Sequence, residues 1–574
     1  MEDSSAGLWL RLEGLVRFIT DYAKQDVRAV IMGLRSCGFD LFMERVYPAS
    51  LSCLLGESWS REKDEAVVMV GNLLANRLNT SPLKISPNEI FLSQAELASR
   101  EFRALQNIPL ENIRTHYAFL CSFNAQLEEK LLALVDFRCA GVFRHSLARA
   151  VRRARTLIFY QVKSRLWNNF LNASHQRNTD YAPPEIILDP VEEIGNLQHD
   201  VCSSLFSQSL SQLAEVQSSQ LNVALAAGGD PQYPVNVKMV GEEVLGNSGS
   251  FRQFISSMVT QLESSTLNLL VPYKGTGTFS GRYFLKPGSI NYGEEKMLQF
   301  FGQILGISLR SGTPLALSLM PTFWSSLVNT RLEDWEECRT LDPVTFNYIS
   351  SIESLTEETF ETFLEENDFP KFVFHSLTGE IVELCPGGLD TSLEYHNREE
   401  YIQSIKTLKL EEWQSRTRVR HILAGLASLA PISFLQNTFT GPEAELRFCG
   451  EAEVNLKFLQ EHTIYQVGIS PSDPHVTHFW AALQSFTQTE RAKFIKFACN
   501  QDRIPMTGPR DSTHIPPYPM KLAPPDQKEG EPDLQLIRVE TCMFLVKLPR
   551  YSSYQIMRDK LLYALSCALD PLSG

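Results

Sequence analysis

The sequence lacks the features that mark a secreted, membrane-spanning or metal-binding chain. It begins Met1-Glu2-Asp3-Ser4-Ser5, acidic where a signal peptide would be basic, and it has no run of about 18 apolar residues. Its 11 cysteines are scattered singly, without a C-x-x-C pair or a Cys/His cluster of zinc-finger spacing. These absences predict reduced thiols, no metal or cofactor, no membrane segment and a cytoplasmic location, with a nuclear location left open.

A basic excess is also missing. The 67 acidic residues outnumber the 53 basic ones, for a formal net charge of -14, which argues against a general nucleic-acid or anionic-membrane binder. The cluster Arg149, Arg152, Arg153 and Arg155 lies opposite an apolar helical stripe. We interpret it as a solvated face, and contact with nucleic acid is the alternative.

The chain is long enough for more than one domain. At 574 residues with 43% hydrophobic content, it exceeds what a single core usually holds. Residues 1–177 are predicted to be helical. Three prolines then interrupt the pattern between Asn178 and Pro190, so we assign 178–234 to a linker with one further helix over about 191–219. From residue 235 onward, helices and short strands alternate.

The last hundred residues give the clearest local signals. Thr487 and Glu490 fit a capping box ahead of a helix, and Ser552 or Ser553 is expected to cap a closing helix. Between them, residues 534–548 are rich in Leu, Ile and Val and predict a strand. On strand periodicity alone, Cys542 would be a buried core thiol, because it shares parity with Phe544 and Val546.

The sequence motif around Cys542 indicates a different role from that of a buried core thiol. Thr541-Cys542, a short apolar strand, Leu548-Pro549-Arg550-Tyr551 and a closing helix resemble the end of a HECT domain. Earlier segments resemble that family in the same order across residues 235–574. They include Gly241-Glu242-Glu243, Tyr292-Gly293-Glu294-Glu295, Asp342-Pro343, Asn397-Arg398-Glu399-Glu400-Tyr401 and Glu443 to Gly450.

The resemblance implies an α+β fold with two lobes. A helix-rich N-lobe with an E2-binding subdomain would span 235–466, and a small α/β C-lobe would span 475–574. Residues 467–474 would form the hinge between them, with Gly468 as the hinge residue. Such a protein is an E3 ubiquitin ligase that accepts ubiquitin from a ubiquitin-conjugating enzyme (E2) as a thioester and passes it to substrate lysines. Ubiquitin, an E2 and protein substrates are the implied partners.

The same resemblance implies roles for individual residues. Cys542 would carry the thioester, and Thr541 belongs to the same motif. Ile349, Ile352 and Tyr401 match the family's apolar E2 groove, and simple core packing is the alternative for these three.

The motif around Cys542 also departs from the family. Glu540 stands where His is common, Met543-Phe544 replaces Phe-Asn, and the tail lacks a phenylalanine. These departures keep open a second hypothesis, an interaction scaffold of the HECT fold with weak or no transfer. If the strand continued through Thr541, Glu540 would face the same side as Cys542 and raise the pKa of its thiol. The alternative is that the chain bends at Thr541.

Overall fold

A computed structural model provides the coordinates. It describes residues 60–569 apart from gaps at 79, 100–101, 131, 133–134, 136, 141–146, 176–181, 191–200, 225–232, 242–246, 276–278, 333–334, 368–369, 452, 500, 502, 505–518 and 526–529. Within this part of the chain, no helix is long and apolar enough to cross a membrane.

The N-terminal region is helical where it is described, as predicted. Its helices are α1 (Arg61–Leu78), α2 (Gln94–Leu97), α3 (Leu110–Lys130), α4 (Leu147–Ala154) and α5 (Tyr160–Ala173). The segment that follows contains β1 (Glu185–Leu188), α6 (Leu205–Leu213), α7 (Ser218–Leu221) and β2 (Asn236–Met239). β1 and β2 pair in parallel. Of the helix predicted over 191–219, residues 191–200 lie outside the described residues, and the rest forms separate short helices.

The central part of the chain is mainly helical. Its larger unit contains α8 (Asn247–Leu262), β3 (Leu270–Pro272), β4 (Tyr283–Leu285), α9 (Tyr292–Ser311) and α10 (Pro321–Leu327). The chain then forms a smaller unit from α11 (Pro343–Ser354), α12 (Glu357–Glu366), β5 (Val373–His375), β6 (Ile381–Glu383) and α13 (Arg398–Gln414). It returns to the larger unit with α14 (Arg416–Ala427), α15 (Ile432–Thr438) and α16 (Gly441–Cys449).

The C-terminal part is a small α/β unit. It consists of α17 (Leu456–Glu461), β7 (Ile464–Tyr465), α18 (Pro474–Ser485), α19 (Gln488–Cys499), β8 (Lys521–Ala523), β9 (Arg538–Glu540), β10 (Leu545–Lys547) and α20 (Tyr554–Leu569). The sheet has the order β7-β8-β10-β9, in which only the β9–β10 pair is antiparallel. The predicted capping box is present, since the Glu490 carboxylate accepts the Thr487 N–H. At α20, the Ser553 hydroxyl accepts the Ile556 N–H.

Short 3-10 turns connect these elements. They are Pro82–Lys84, Pro87–Glu89, Arg103–Leu105, Phe137–Ala140, Arg155–Leu157, Val201–Ser203, Trp335–Thr340, Tyr395–Asn397, Pro532–Leu534 and Thr541–Met543.

The two lobes divide earlier than we predicted. The core of the larger unit ends at Cys449, and the C-terminal core begins at Val454. β7 pairs with β8, so residues 464–465 belong to the C-terminal sheet. The predicted hinge at 467–474 therefore lies inside the C-lobe, in the loop between β7 and α18. Gly468 has φ +95° there, which suits a tight loop in glycine. The change of core falls at residues 450–453.

The N-terminal helices and the N-lobe share one hydrophobic core, whose members lie between Ala66 and Val328 and between Val419 and Cys449. Trp167 of α5 is fully buried and packs its ring against Phe434 and Phe439. Lys163, also on α5, is buried and donates to both carboxylate oxygens of Glu443, at 2.8 and 2.7 Å. The helical region is thus built into the N-lobe.

Part of the basic cluster also faces the N-lobe, so the prediction of a solvated face is wrong for Arg152 and Arg155. Arg152 donates to the Asn329 carbonyl at 2.9 Å. Arg155 donates to the carbonyls of Val328 and Gln436, and burial lowers its pKa to about 10. Because a guanidinium has several N–H donors, it can bond to the carbonyls at the end of α10 and on α15 at once.

We predict that Trp167→Ala destabilises the N-lobe together with the helical region. Truncating a buried tryptophan costs about 3 to 5 kcal/mol, and this ring contributes to both parts of one core. The measurement is the free energy of unfolding from denaturant titration. Phe91→Ala is the matched control, since that aromatic ring is 67% exposed. An N-lobe transition that does not change in Trp167→Ala would contradict a shared core.

Candidate active site

Cys542 lies in a turn between two strands. Residues 541–543 form a 3-10 turn that joins β9 to β10, and Glu540 stands opposite Leu545 in the antiparallel ladder. The prediction of one strand over 534–548 is therefore wrong. The parity argument that buried Cys542 fails with it, because residues on a turn do not alternate between two faces.

Phe544 explains why the turn forms and why the sequence pattern did not predict it. Its backbone adopts the left-handed conformation with φ +50°, which costs a residue with a side chain about 1 to 2 kcal/mol. Burial of the phenylalanine ring, which is 1% exposed, offsets that cost. The Phe544 N–H donates to the Thr541 carbonyl at 3.3 Å, and its own carbonyl accepts the Lys521 N–H of β8 at 2.8 Å. No glycine, proline or asparagine marks the position.

The turn lies at the protein surface. Met543 is 54% exposed and Thr541 is partly buried. For Cys542 the structure describes the backbone, which follows Thr541 into the turn. A nucleophile on a strand-to-strand turn can be approached by a large partner, whereas one inside a sheet cannot.

Glu540 is placed differently from our prediction. The chain bends at Thr541, as the alternative required, and the Glu540 carboxylate forms an ion pair with the Lys547 ammonium across the β9–β10 ladder. The side chain of Glu540 is partly exposed and that of Lys547 is largely buried. The strand ends at Glu540, so Glu540 and Cys542 no longer share one strand face, which was the geometric premise of the prediction.

The Leu-Pro-x-Tyr segment, residues 548–551, and Ser552 after it are bonded to residues 533–535, which precede β9. The Tyr551 hydroxyl donates to the Gln535 carbonyl at 2.8 Å, and burial raises the pKa of Tyr551. Asp533 accepts from the Ser552 N–H and hydroxyl, bonds that lower its pKa. Sequence reasoning assigned no role to Asp533, whose only signal is its place in the 3-10 turn before β9.

A residue of the N-lobe also reaches the turn. Arg252 on α8 is buried, and its guanidinium donates to the Thr541 carbonyl, one residue before Cys542. The sequence motifs quoted above assign no role to Arg252.

Other cysteines whose side chains are described are less suited to chemistry. Burial raises the pKa of the Cys121 and Cys449 thiols to about 12, so neither is ionised near neutral pH. Cys499 is buried on α19. Cys202 is exposed and Cys385 is partly buried, and both lie outside the matching motif. The side chain of Cys567 lies outside the described residues.

The residues predicted to contact the E2 are buried. Ile349, Ile352 and Tyr401 form part of the small core of the α11–α13 unit, and each is at most 2% exposed. The Tyr401 hydroxyl bonds to that of Tyr348 at 3.2 Å. The structure therefore supports the alternative, core packing, because a side chain without solvent exposure cannot meet a partner unless the unit rearranges.

Metal chemistry finds no structural support in the described part of the chain, where no group of three or more His, Cys, Asp or Glu side chains could hold an ion. His475 lies at the start of α18, where burial lowers its pKa.

Comparison with known proteins identifies the class. Residues 256–570 match the family model described as HECT-domain (ubiquitin-transferase), which is more than half of the chain. The chain belongs to the HECT-domain family, and both the α+β fold and the Cys542 turn are consistent with that membership.

Individual relatives carry the same description. The chain is 42% identical over 597 aligned residues to the human protein named probable E3 ubiquitin-protein ligase HECTD4, covering 99% of this chain and 15% of that protein. It is 30% identical over 343 residues to human E3 ubiquitin-protein ligase HERC2, covering 58% of this chain and 7% of that protein. Zebrafish E3 ubiquitin-protein ligase HACE1 is 25% identical over 382 residues. The chain thus spans only a small part of the length of HECTD4 and HERC2.

We predict that Ile349→Asp unfolds the α11–α13 unit. A carboxylate in this dry core has no partner, and its burial costs about 3 kcal/mol or more. Thermal melting followed by limited proteolysis of residues 343–414 measures the effect. Val344→Asp is the matched control on the same helix, because Val344 is 78% exposed and its substitution should leave the melting temperature unchanged. A folded Ile349→Asp unit would restore Ile349 as a candidate surface residue.

Proposed function

We propose that this chain acts as an E3 ubiquitin transferase, with Cys542 as the residue that carries ubiquitin. Membership of the HECT-domain family supports the reaction class. The observation that carries the assignment of the residue is the position of Cys542 on the surface turn between β9 and β10, where the family-like motif Thr541-Cys542 is found.

The chemistry consists of two exchanges at one carbonyl carbon. The Cys542 thiolate attacks the thioester between ubiquitin and the E2, forms a new carbon–sulfur bond, and releases the E2 cysteine as a thiolate. A substrate lysine amine then attacks the new thioester, forms an amide and releases the Cys542 thiolate. The first exchange is nearly balanced in energy, because one thioester replaces another, and the second is driven by the stability of the amide.

Movement of the C-lobe would occur at residues 450–453. Gly450 has φ +74°, a conformation that favours glycine, and its carbonyl accepts from Arg503 of the C-lobe at 2.9 Å. Glu451 accepts from the Asn76 amide of α1. This segment joins two separate cores, and this supports it as the place where the chain bends, instead of Gly468.

The E2 would bind the α11–α13 unit through residues other than the three buried ones. Val344, Ile381 and Leu389 are large apolar side chains that this unit leaves more than half exposed. Large apolar side chains that one small unit leaves exposed are candidates for a protein contact. We propose that an E2 covers part of this surface, so that Val344→Asp weakens E2 binding.

The site of action would be the cytoplasm or the nucleus. Cys121, Cys385 and Cys449 are present as thiols without a disulfide, a state that a reducing compartment maintains.

We predict that Cys542→Ala abolishes a thiol-sensitive ubiquitin adduct. Without the sulfur no thioester can form, whereas Cys499→Ala and Cys567→Ala should leave the adduct intact because neither lies in the motif. The measurement is a non-reducing gel after incubation of the full chain with ubiquitin, the activating enzyme and a charged E2. Cys202→Ala controls for an exposed cysteine.

Two outcomes would contradict the proposal. An adduct that survives in Cys542→Ala would assign the thioester to another cysteine. A folded, E2-binding chain that forms no adduct would favour the scaffold hypothesis.

A further inference from the structure

A buried arginine connects the N-lobe to the turn that carries Cys542. Arg252 is 1% exposed, and its Nη2 donates to the Thr541 carbonyl. The same oxygen accepts the Phe544 N–H that closes the turn. Arg252 therefore contacts the backbone of the turn at the peptide group that leads into Cys542.

Helix α8, which carries Arg252, is packed into the N-lobe core. Phe251, Phe254 and Met258 of α8 are fully buried in the N-lobe core, and the ring of Phe251 packs against Tyr233 at 4.8 Å between centroids. Gln261 near the end of the helix accepts the Phe206 N–H. Because its neighbours on α8 are fixed in this way, the Arg252 side chain is held where it meets the C-lobe. The side chain of Arg252 therefore loses little conformational entropy when the C-lobe docks.

Arg252 lies at the principal packing contact between the two lobes. Across the described residues, the most extensive packing between the N-lobe and the C-lobe is that of α8 against the Thr541–Met543 turn. The C-lobe thus docks on the N-lobe through the turn of its candidate nucleophile, and a guanidinium lies buried at the junction. A buried guanidinium needs acceptors, and a C-lobe that swung away would remove the Thr541 carbonyl.

We propose that Arg252 is a positioning residue for the second exchange, in which ubiquitin passes from Cys542 to a lysine. The proposal rests on the proposed transferase function. Loading requires the turn to reach an E2 held by the α11–α13 unit, whereas in the docked arrangement the turn lies against α8. Docking is therefore assigned to the step after loading.

The chemistry of that step suits a nearby cation. The neutral lysine amine adds to the thioester carbonyl carbon and forms the carbon–nitrogen bond, and negative charge develops on the carbonyl oxygen. Collapse of this intermediate re-forms the carbonyl double bond, breaks the carbon–sulfur bond and releases the Cys542 thiolate, while the amine proton passes to water or a base. The oxyanion of the intermediate and the departing thiolate are both negatively charged. A fixed guanidinium close to the turn stabilises both charges, and the protein does not have to reorganise during the reaction. Fixed orientation of the turn adds to the rate.

The experiment separates loading from discharge in the full chain. Unmodified protein, Arg252→Met and Arg310→Met are each charged with ubiquitin from the same E2, charging is stopped, and free lysine is added as acceptor. Arg310→Met is the matched control, because Arg310 is an equally buried N-lobe arginine that donates to the Leu429 and Val223 carbonyls, away from the turn. Melting temperatures are recorded for all three.

We expect Arg252→Met to load within about twofold of the unmodified chain and to discharge at least about tenfold more slowly. Arg310→Met should discharge normally once loaded. Arg252→Lys, which keeps the charge but not the fork of donors, should recover part of the rate. Hydrogen exchange at residues 541–547 should rise in Arg252→Met and stay unchanged in Arg310→Met, which loss of general stability would not produce.

Several results would overturn the assignment of Arg252. They are unchanged discharge in Arg252→Met, equal slowing in Arg310→Met, and slowing of loading and discharge by the same factor. If Arg252→Met does not fold, Arg252→Lys decides, and full discharge by that variant rejects a role for the donor fork. Failure of the proposed function is a separate result, since the unmodified chain would then form no adduct to discharge.

Discussion

The close approach of α9 and α14 is the constraint on which the N-lobe depends. A side chain at Gly302 would place its Cβ 1.8 Å from the Ile422 carbonyl oxygen, and one at Gly425 would lie 1.8 Å from that of Gln299. The two helix backbones therefore touch, and only glycine permits this. The other parts of the N-lobe pack around this pair. Arg310 at the end of α9 binds the Leu171 carbonyl of the helical region, and Arg418 of α14 binds Glu294 at the start of α9.

The N-lobe platform, the α11–α13 unit and the C-lobe have separate hydrophobic cores. The larger core takes in the N-terminal helices, so that region is part of the platform and not an appendage. The α11–α13 unit has its own small core and joins the platform at Ser415, whose backbone is left-handed with φ +43°. The C-lobe has a second independent core and is joined by four residues. A rigid base that carries two separately packed units suits a protein that must bring two reacting groups together.

The contacts at the lobe junction show how upstream sequence can influence a distant turn. The Asn76 amide at the end of α1 reaches Glu451 in the segment between the lobes, and Arg252 on α8 reaches Thr541. Both are fixed by the N-lobe core and both contact the C-lobe side. The Cys542 turn and the segment between the lobes are thus each contacted by a residue that lies hundreds of positions earlier in the chain.

Much could be determined from the sequence alone. Periodicity and caps predicted the helices of the described part of the N-terminal region, as well as α19 and α20, because those signals are local in the chain. The motif around Thr541 and Cys542 indicated the family, because a reaction at one sulfur requires particular neighbours. Tertiary structure decided the rest. The turn at 541–543 depends on the left-handed backbone of Phe544, which burial of its ring stabilises. Ile349 and Tyr401 face a core, and the sequence could not distinguish this core from a surface groove. The lobe boundary depends on the packing of residues 454–466 in the C-terminal core. Each of these is settled by contacts between residues distant in sequence, which a local pattern does not contain.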